Sequence, residues 1–186
     1  MGRALASSME RRLVAVNRDC PARLVPAGTR VTIPKNTFVT ITQDLGGTYT
    51  VNLGGNLARI DGTDADALGE EPIELFFAED SDTDVKGAVN PNHVWQALAT
   101  VYDPEIPVNL VDLGLIYGCR IVDSVVQITM TLTAPGCGMG PVLVEDVRYR
   151  VGKVPGVSDV QVNLVFDPPW SRDMMSESAQ LELGIF

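Results

Sequence analysis

Cys137 stands in the run Thr133-Ala134-Pro135-Gly136-Cys137-Gly138-Met139-Gly140-Pro141, a thiol set among three glycines and two prolines. Upstream, Val126, Ile128, Met130 and Leu132 alternate as a half-buried strand does. Downstream, Leu143, Val144, Val147 and Val151 recur at helical spacing, and Pro141 suits a first helical position. The sulfur therefore falls just ahead of a helix start, where unpaired backbone N–H groups and the helix dipole favour negative charge. A thiolate forms more readily there than in free solution, which suits nucleophilic attack or soft-metal ligation. Glu145 and Asp146 follow closely and oppose it. The plain alternative is a small apolar residue filling a tight turn. Glycines that let the backbone expose sulfur and N–H groups favour the functional reading.

A second stretch, residues 103–115, carries three carboxylates (Asp103, Glu105 and Asp112) and two prolines. Asp103, Asn109 and Asp112 suit local turn bonding. Equally, one carboxylate can stand near Cys137 as metal ligand or proton acceptor, and spacing alone does not separate the two. Third comes Asp167-Pro168-Pro169-Trp170, a rigid turn whose tryptophan suits either an interface anchor or a cover for the core. Cys119 shares a strand face with Tyr117 and Ile121 and reads as core, whereas Cys20, beside Pro21, is too isolated to interpret. His93 is the sole histidine and falls in a first helical turn, which makes it a surface residue. With one histidine and no Cys-x-x-Cys, the chain cannot write a self-contained zinc or four-cysteine cluster site. Nothing around His93 supports a serine–histidine triad.

The elements that must position these residues follow in order. Residues 23–25, 31–33, 38–41, 48–51 and 56–60 are strand-like and separated by turn residues, which predicts a small antiparallel sheet or barrel over residues 1–60. Ten acidic residues and one lysine fall within residues 61–86, so residues 61–89 read as an acidic linker. Ile73, Leu75, Phe76 and Phe77 within it suit a clasp between two halves instead. Asn90-Pro91 opens a helix with Val94, Trp95, Leu98, Val101 and Tyr102 on its apolar face, ended before Pro104. Strands over 115–122 and 125–133 meet at Asp123-Ser124. A helix from Pro141 to a stop near Gly156 follows, then a strand through Val160, Val162, Leu164 and Phe166. Met174, Ala179, Leu181 and Leu183 form a closing helix before Gly184. Residues 90–186 are thus a compact α-β-β-α-β-α domain, α/β (α+β) in class.

Composition narrows the function. A net charge of −10 argues against binding a phosphate backbone, so no nucleic acid is expected. No apolar run approaches the roughly 20 residues that span a bilayer. Residues 1–12 lack the apolar centre of a secretory signal, and Ala6 stands where a myristoylation site needs Ser or Thr. Three widely spaced cysteines are no disulfide framework. A cytoplasmic protein without a membrane partner is the expectation.

Asp103-Pro104-Glu105, Asp112-Leu113-Gly114, the Thr133–Gly140 run and Pro168-Pro169-Trp170 together resemble the iron–sulfur assembly domain shared by SufT, PaaD and MIP18-type proteins. The resemblance covers about residues 90–184, and the front half with residues 55–60 is similar to the extension of the SufT-type branch. It implies an auxiliary factor for iron–sulfur cluster assembly and maturation, not an enzyme, working with scaffold or recipient proteins. It carries Cys137 over as the cluster-contacting residue, with Asp103 or Glu105 beside it. Asp112, Thr133, Gly136, Gly138 and Gly140 are then site-lining candidates, Thr131 or Thr133 can hydrogen-bond the sulfur, and Trp170 is a candidate partner contact. One thiolate per chain implies a transient cluster shared across a homodimer or with a partner, and no nucleotide. Two alternatives stand beside this. One is a metal-free adaptor. The other is a thiol transferase with Cys137 as nucleophile, weakened because Asp103, Glu105 and Asp112 are poor bases for a thiol.

Overall fold

Alternation becomes burial along β8 (Val125–Met130), where Val126, Ile128 and Met130 are fully buried and the residues between them half-buried. The computed structural model describes residues 11–45, 47–75, 88–103, 106, 108–133, 138 and 140–184. β8 pairs antiparallel with β7 (Ile116–Val122) and parallel with β9 (Asp159–Leu164), in the order β7-β8-β9. Asp123 and Ser124, at φ 55° and 85°, supply the two positive dihedrals of a tight type I′ connection. Parallel neighbours need a crossover, and α2 (Gly140–Val151) provides it.

Asn90 caps α1 (Pro91–Leu98) by accepting the Asn92 N–H at 2.9 Å. Ser176 caps α3 (Glu177–Glu182) at the Ala179 N–H, 3.2 Å away. The expected order α-β-β-α-β-α is the one observed, around a core that includes Leu98, Leu110, Leu115, Ile128, Leu143 and Val147. Several details differ. α1 ends at Leu98, short of Val101 and Tyr102, and leaves Trp95 exposed rather than on its apolar face. α2 stops at Val151, and turns carry the chain on to Gly156 at φ 86°. Met174 belongs to a separate 3₁₀ turn (Arg172–Met174), not to the closing helix. His93 is buried, not at the surface, because it lies one helical turn before buried Ala97 on the same stripe of α1.

The front half is a six-stranded antiparallel sheet of β1 (Arg12–Ala15), β2 (Cys20–Leu24), β3 (Arg30–Ile33), β4 (Phe38–Leu45), β5 (Thr48–Leu53) and β6 (Asn56–Asp61). Its order, β1-β4-β5-β6-β2-β3, leaves β1 and β3 as edges among the described residues, so it is an open sheet and not a closed barrel. Gly54 and Gly55, at φ 59° and 96°, make the tight β5–β6 turn. Cys20 lies at the centre of this half's apolar cluster with Ile33, Val39, Val51 and Ile60.

The acidic segment begins as structure, while its end at residues 80–84, the part expected to be solvated, lies outside the described residues with Phe76 and Phe77. Asp61 ends β6 and caps a 3₁₀ turn (Gly62–Leu68) by accepting the Thr63 N–H at 2.9 Å. Asp61 and Asp64 are both buried, since each faces a group of α2. The outer face of α2 carries the charges that hold the halves together. Asp146 receives Arg23 Nη2 at 2.6 Å and Nε at 3.0 Å on one oxygen. Arg59 Nη2 lies 2.8 Å from the other oxygen, close enough for an ion pair but not aligned as a hydrogen bond. Arg150 donates to Asp61 at 3.1 Å, to the Thr100 hydroxyl at 2.8 Å and to the Gly47 carbonyl at 3.1 Å. Tyr149 donates to Asp64, and burial together with that bond holds its phenol above the ordinary value.

Removing one partner of a buried ion pair strands the rest without water. Asp146→Ala leaves two buried guanidinium groups behind and is expected to cost about 3–5 kcal/mol in urea unfolding. Arg120→Ala, on an exposed β7 site, is expected to cost less than about 0.5 kcal/mol. A loss below about 1 kcal/mol for Asp146→Ala would show that the cluster does not hold the halves together.

Candidate functional site

The hydrogen-bond ladder gathers the described parts of the sequence motifs at one edge of the β7-β8-β9 sheet. β8 and β9 run parallel, so both end there, and antiparallel β7 begins there. Thr131, just past β8, donates its N–H to Leu115 at 2.9 Å, and Val165, just past β9, donates to Met130 at 2.8 Å. Leu115 in turn bonds Leu110, and Leu110 bonds Val101, which brings the 103–115 loop to the same edge. α2 starts there as well. In open α/β sheets the space beyond the carboxyl ends of parallel strands is where ligands bind.

Within the loop, Asp103 is buried and accepts the Ile106 N–H at 3.0 Å. The Asp112 carboxylate accepts from the Asn109 side-chain Nδ2 at 2.6 Å, and the Asp112 backbone N–H donates to Asn109 Oδ1 at 3.0 Å. Asp103 and Asn109 thus bond local backbone N–H groups as expected, while the Asp112 carboxylate bonds the Asn109 side chain instead. Gly114 sits at φ 75°, and an added Cβ would fall 2.2 Å from the Met174 carbonyl, so only glycine allows this approach. The Asp112 carbonyl accepts the Ser176 N–H at 2.7 Å, the Leu113 carbonyl accepts the Trp170 indole N–H at 2.6 Å, and Tyr117 donates to the Pro168 carbonyl at 2.8 Å. The Pro-Pro-Trp turn is therefore fastened onto the acidic loop, with Trp170 half-buried against the core.

Thr133 is half-buried, Gly138 exposed, and Gly140 buried at the start of α2 with Leu132 and Leu164 against it. Cys137, Gly136 and Glu105 lie outside the described residues. Thr131 is buried at the end of β8, and its hydroxyl finds no hydrogen-bond partner among the described residues. A buried unpaired hydroxyl costs free energy. The sequence carried no such signal, since Thr131 falls between the apolar positions Met130 and Leu132 of the alternation. Among the described residues no cluster of His, Cys, Asp and Glu has metal-holding geometry.

The electrostatics at the α2 start differ from the sequence expectation. Glu145 is held by Arg30 at 3.0 Å and by Arg148 at 3.2 Å, and Asp146 by Arg23 and Arg59. Two guanidinium groups on each carboxylate offset the repulsion they would exert on an anion at the helix start. The front half supplies three of those four arginines. It also touches the helix directly, since a Cβ on Gly28 would meet the Pro141 carbonyl at 2.7 Å. Neither remaining cysteine joins this edge. Burial pushes the Cys20 thiol up to about 11 and raises that of half-buried Cys119.

Residues 91–164 match the family profile described as iron–sulfur cluster assembly protein. The chain is 57% identical over 88 residues to an Fe-S protein maturation auxiliary factor of Porphyromonas gingivalis, covering 47% of this chain and 84% of that one. It is 43% identical over 94 residues to the Fe-S protein maturation auxiliary factor YitW of Bacillus subtilis, covering 50% and 92%. With the Fe-S protein maturation auxiliary factor SufT of Staphylococcus aureus it shares 42% over 86 residues, covering 46% and 98%. The match uses up that last protein almost entirely, so this relative has no room for a second half like the six-stranded sheet. No helix among the described residues is long and apolar enough to cross a membrane.

Two outcomes test this arrangement. Gly114→Ala forces a left-handed dihedral on a side chain and drives it into Met174, and is expected to cost about 1–3 kcal/mol with faster amide exchange at Ser176. Unchanged exchange there would mean the turn is not fastened as described. Alkylation of the native protein at neutral pH, followed by mass spectrometry, is expected to leave Cys20 unmodified and Cys119 slow. The sign for stability follows: a thiol raised on folding favours the native state below the unfolded value and loses that contribution as pH rises through about 11.

Proposed function

Because the chain belongs to the iron–sulfur cluster assembly protein family, we propose that it is a non-enzymatic, cytoplasmic auxiliary factor that helps deliver clusters to recipient proteins through Cys137. The observation that carries this is the 57% identity to a protein named as an Fe-S maturation auxiliary factor, over 84% of its length. Three features of the chain support it. Cys137 precedes a helix start, where backbone N–H groups favour a thiolate. The two nearest carboxylates on that helix are held by arginines. Asp103, Asp112, Thr133, Gly138, Gly140 and Trp170 belong to segments that meet at the same sheet edge, as the bonds through Leu110, Leu113, Leu115 and Thr131 require.

The cluster is cargo. A single thiolate cannot complete the ligand set of a cluster, so the remaining ligands come from a second copy of the chain or from the scaffold or recipient. Sulfur softness makes Cys137 the natural ligand for iron, and unpaired N–H groups at the helix start tune such a site by hydrogen bonding to sulfur. Thr131, buried at the end of β8 with no hydroxyl partner among the described residues, is the further donor this reading assigns to that sulfur.

Anaerobic reconstitution of the protein beside its Cys137→Ser variant tests the reading through iron, sulfide and visible absorption. Bound iron and sulfide are expected in the native chain and a loss of most of both in the variant. Equal iron in the two would remove Cys137 as the ligand. No cluster in either, with recipient proteins still captured, would replace the carrier with a metal-free adaptor.

A further inference from the structure

Two adjoining cavities of about 320 and 340 Å3 lie between the halves, on a flank of α2, and share Arg30 and Tyr149 in their walls. Arg23, Arg30, Arg148 and Lys153 line them, against Asp159 as the one acidic lining residue. On a chain of net charge −10, this is a local reversal of sign. Glu145 engages Arg30 through Nε and Arg148 through Nη1, which leaves the other guanidinium donors of both side chains unengaged among the described residues. Lys153 rests over the Tyr149 ring, 4.8 Å from its centroid, and makes no ion pair among the described residues. These charges are held in place yet remain available to a ligand.

The walls also contain residues of two sheet edges. β3 ends the order of the six-stranded sheet and contributes Arg30, Val31 and Thr32, while β9 ends the other sheet and contributes Asp159 and Val160. An edge strand presents unpaired backbone groups that an extended segment can satisfy. A basic cleft beside an unpaired edge fits an extended acidic peptide better than a compact anion, which needs no strand. We propose that this cleft docks an extended acidic segment of a partner protein along β3, its carboxylates meeting Arg30, Arg148 and Lys153. This docking needs no metal and no Cys137, so it stands or falls apart from the cluster-delivery reading.

The probe is a fluorescein-labelled peptide of alternating glutamate and valine, about six residues long, as an ordinary strand is. Fluorescence polarisation with the full chain is expected to show saturable binding that weakens as salt rises. Arg148→Ser with Lys153→Ser, both outside the buried clusters, is expected to weaken it about five- to tenfold with circular dichroism unchanged. Arg120→Ser, an exposed cation elsewhere, is expected to leave it within about twofold. A glutamine-for-glutamate peptide, or one with the same charge interrupted by proline, is expected to bind at least about fivefold more weakly. Equal binding by the proline peptide would overturn docking as a strand. Full displacement by citrate at the peptide's own concentration would make this a small-anion site, and an equal loss in Arg120→Ser would make the binding non-specific. Self-association abolished by the double variant, without peptide binding, would give the cleft to a second copy.

Discussion

Burying charge is expensive unless every charge meets its counter-charge, and α2 buries two of them on one stripe. Asp146 and Arg150 are one helical turn apart and nearly inaccessible, and their partners come almost wholly from residues before 101. The opposite stripe of the same helix, Leu143, Val147 and Val151, packs into the apolar core of the second half. α2 therefore belongs to both halves at once. Its core face is non-directional and tolerant, while its charged face demands fixed geometry, so that face sets where the six-stranded sheet sits.

That position has a chemical consequence. The helix that bears these charges is also the one that follows Cys137, and the carboxylates in its first two turns would otherwise disfavour an anion there. Arg23, Arg30 and Arg59 of the front half compensate them. The two maturation factors of Bacillus subtilis and Staphylococcus aureus are covered to 92% and 98% by matches of 94 and 86 residues. The sheet is thus tied to the electrostatics of an edge whose own hydrogen bonds, among the described residues, all fall within residues 101–176. Its contribution is compensation and placement, and the cleft along its flank follows from the same arginines.

Particular residues show how far reading along the chain carries. Asn90-Pro91 announced a helix start because capping is local, and Asp123-Ser124 announced a hairpin because two positive dihedrals are local. The alternation at 126, 128 and 130 translated directly into burial. Asp103 and Asn109 make the turn bonds their spacing suggests. By contrast, Asp61 and Asp64 read as part of a solvated acidic stretch, and they are buried because Arg150 and Tyr149, more than eighty residues away, approach them. His93 reads as a surface residue and is covered, since one short helix buries more than its obvious apolar stripe.

The sequence by itself determined the order of elements, the turns between them and the motifs with cysteine, carboxylate and tryptophan, because periodicity, capping and turn chemistry act over a few neighbouring residues. Tertiary structure alone decided that the acidic loop, the end of β8, the start of α2 and the Trp170 turn share one edge. It alone decided that the charges at 146 and 150 are the buried join between two halves. Charge type is written in the chain, but whether a charge meets water or an opposite charge depends on residues distant in sequence, and no local pattern records that.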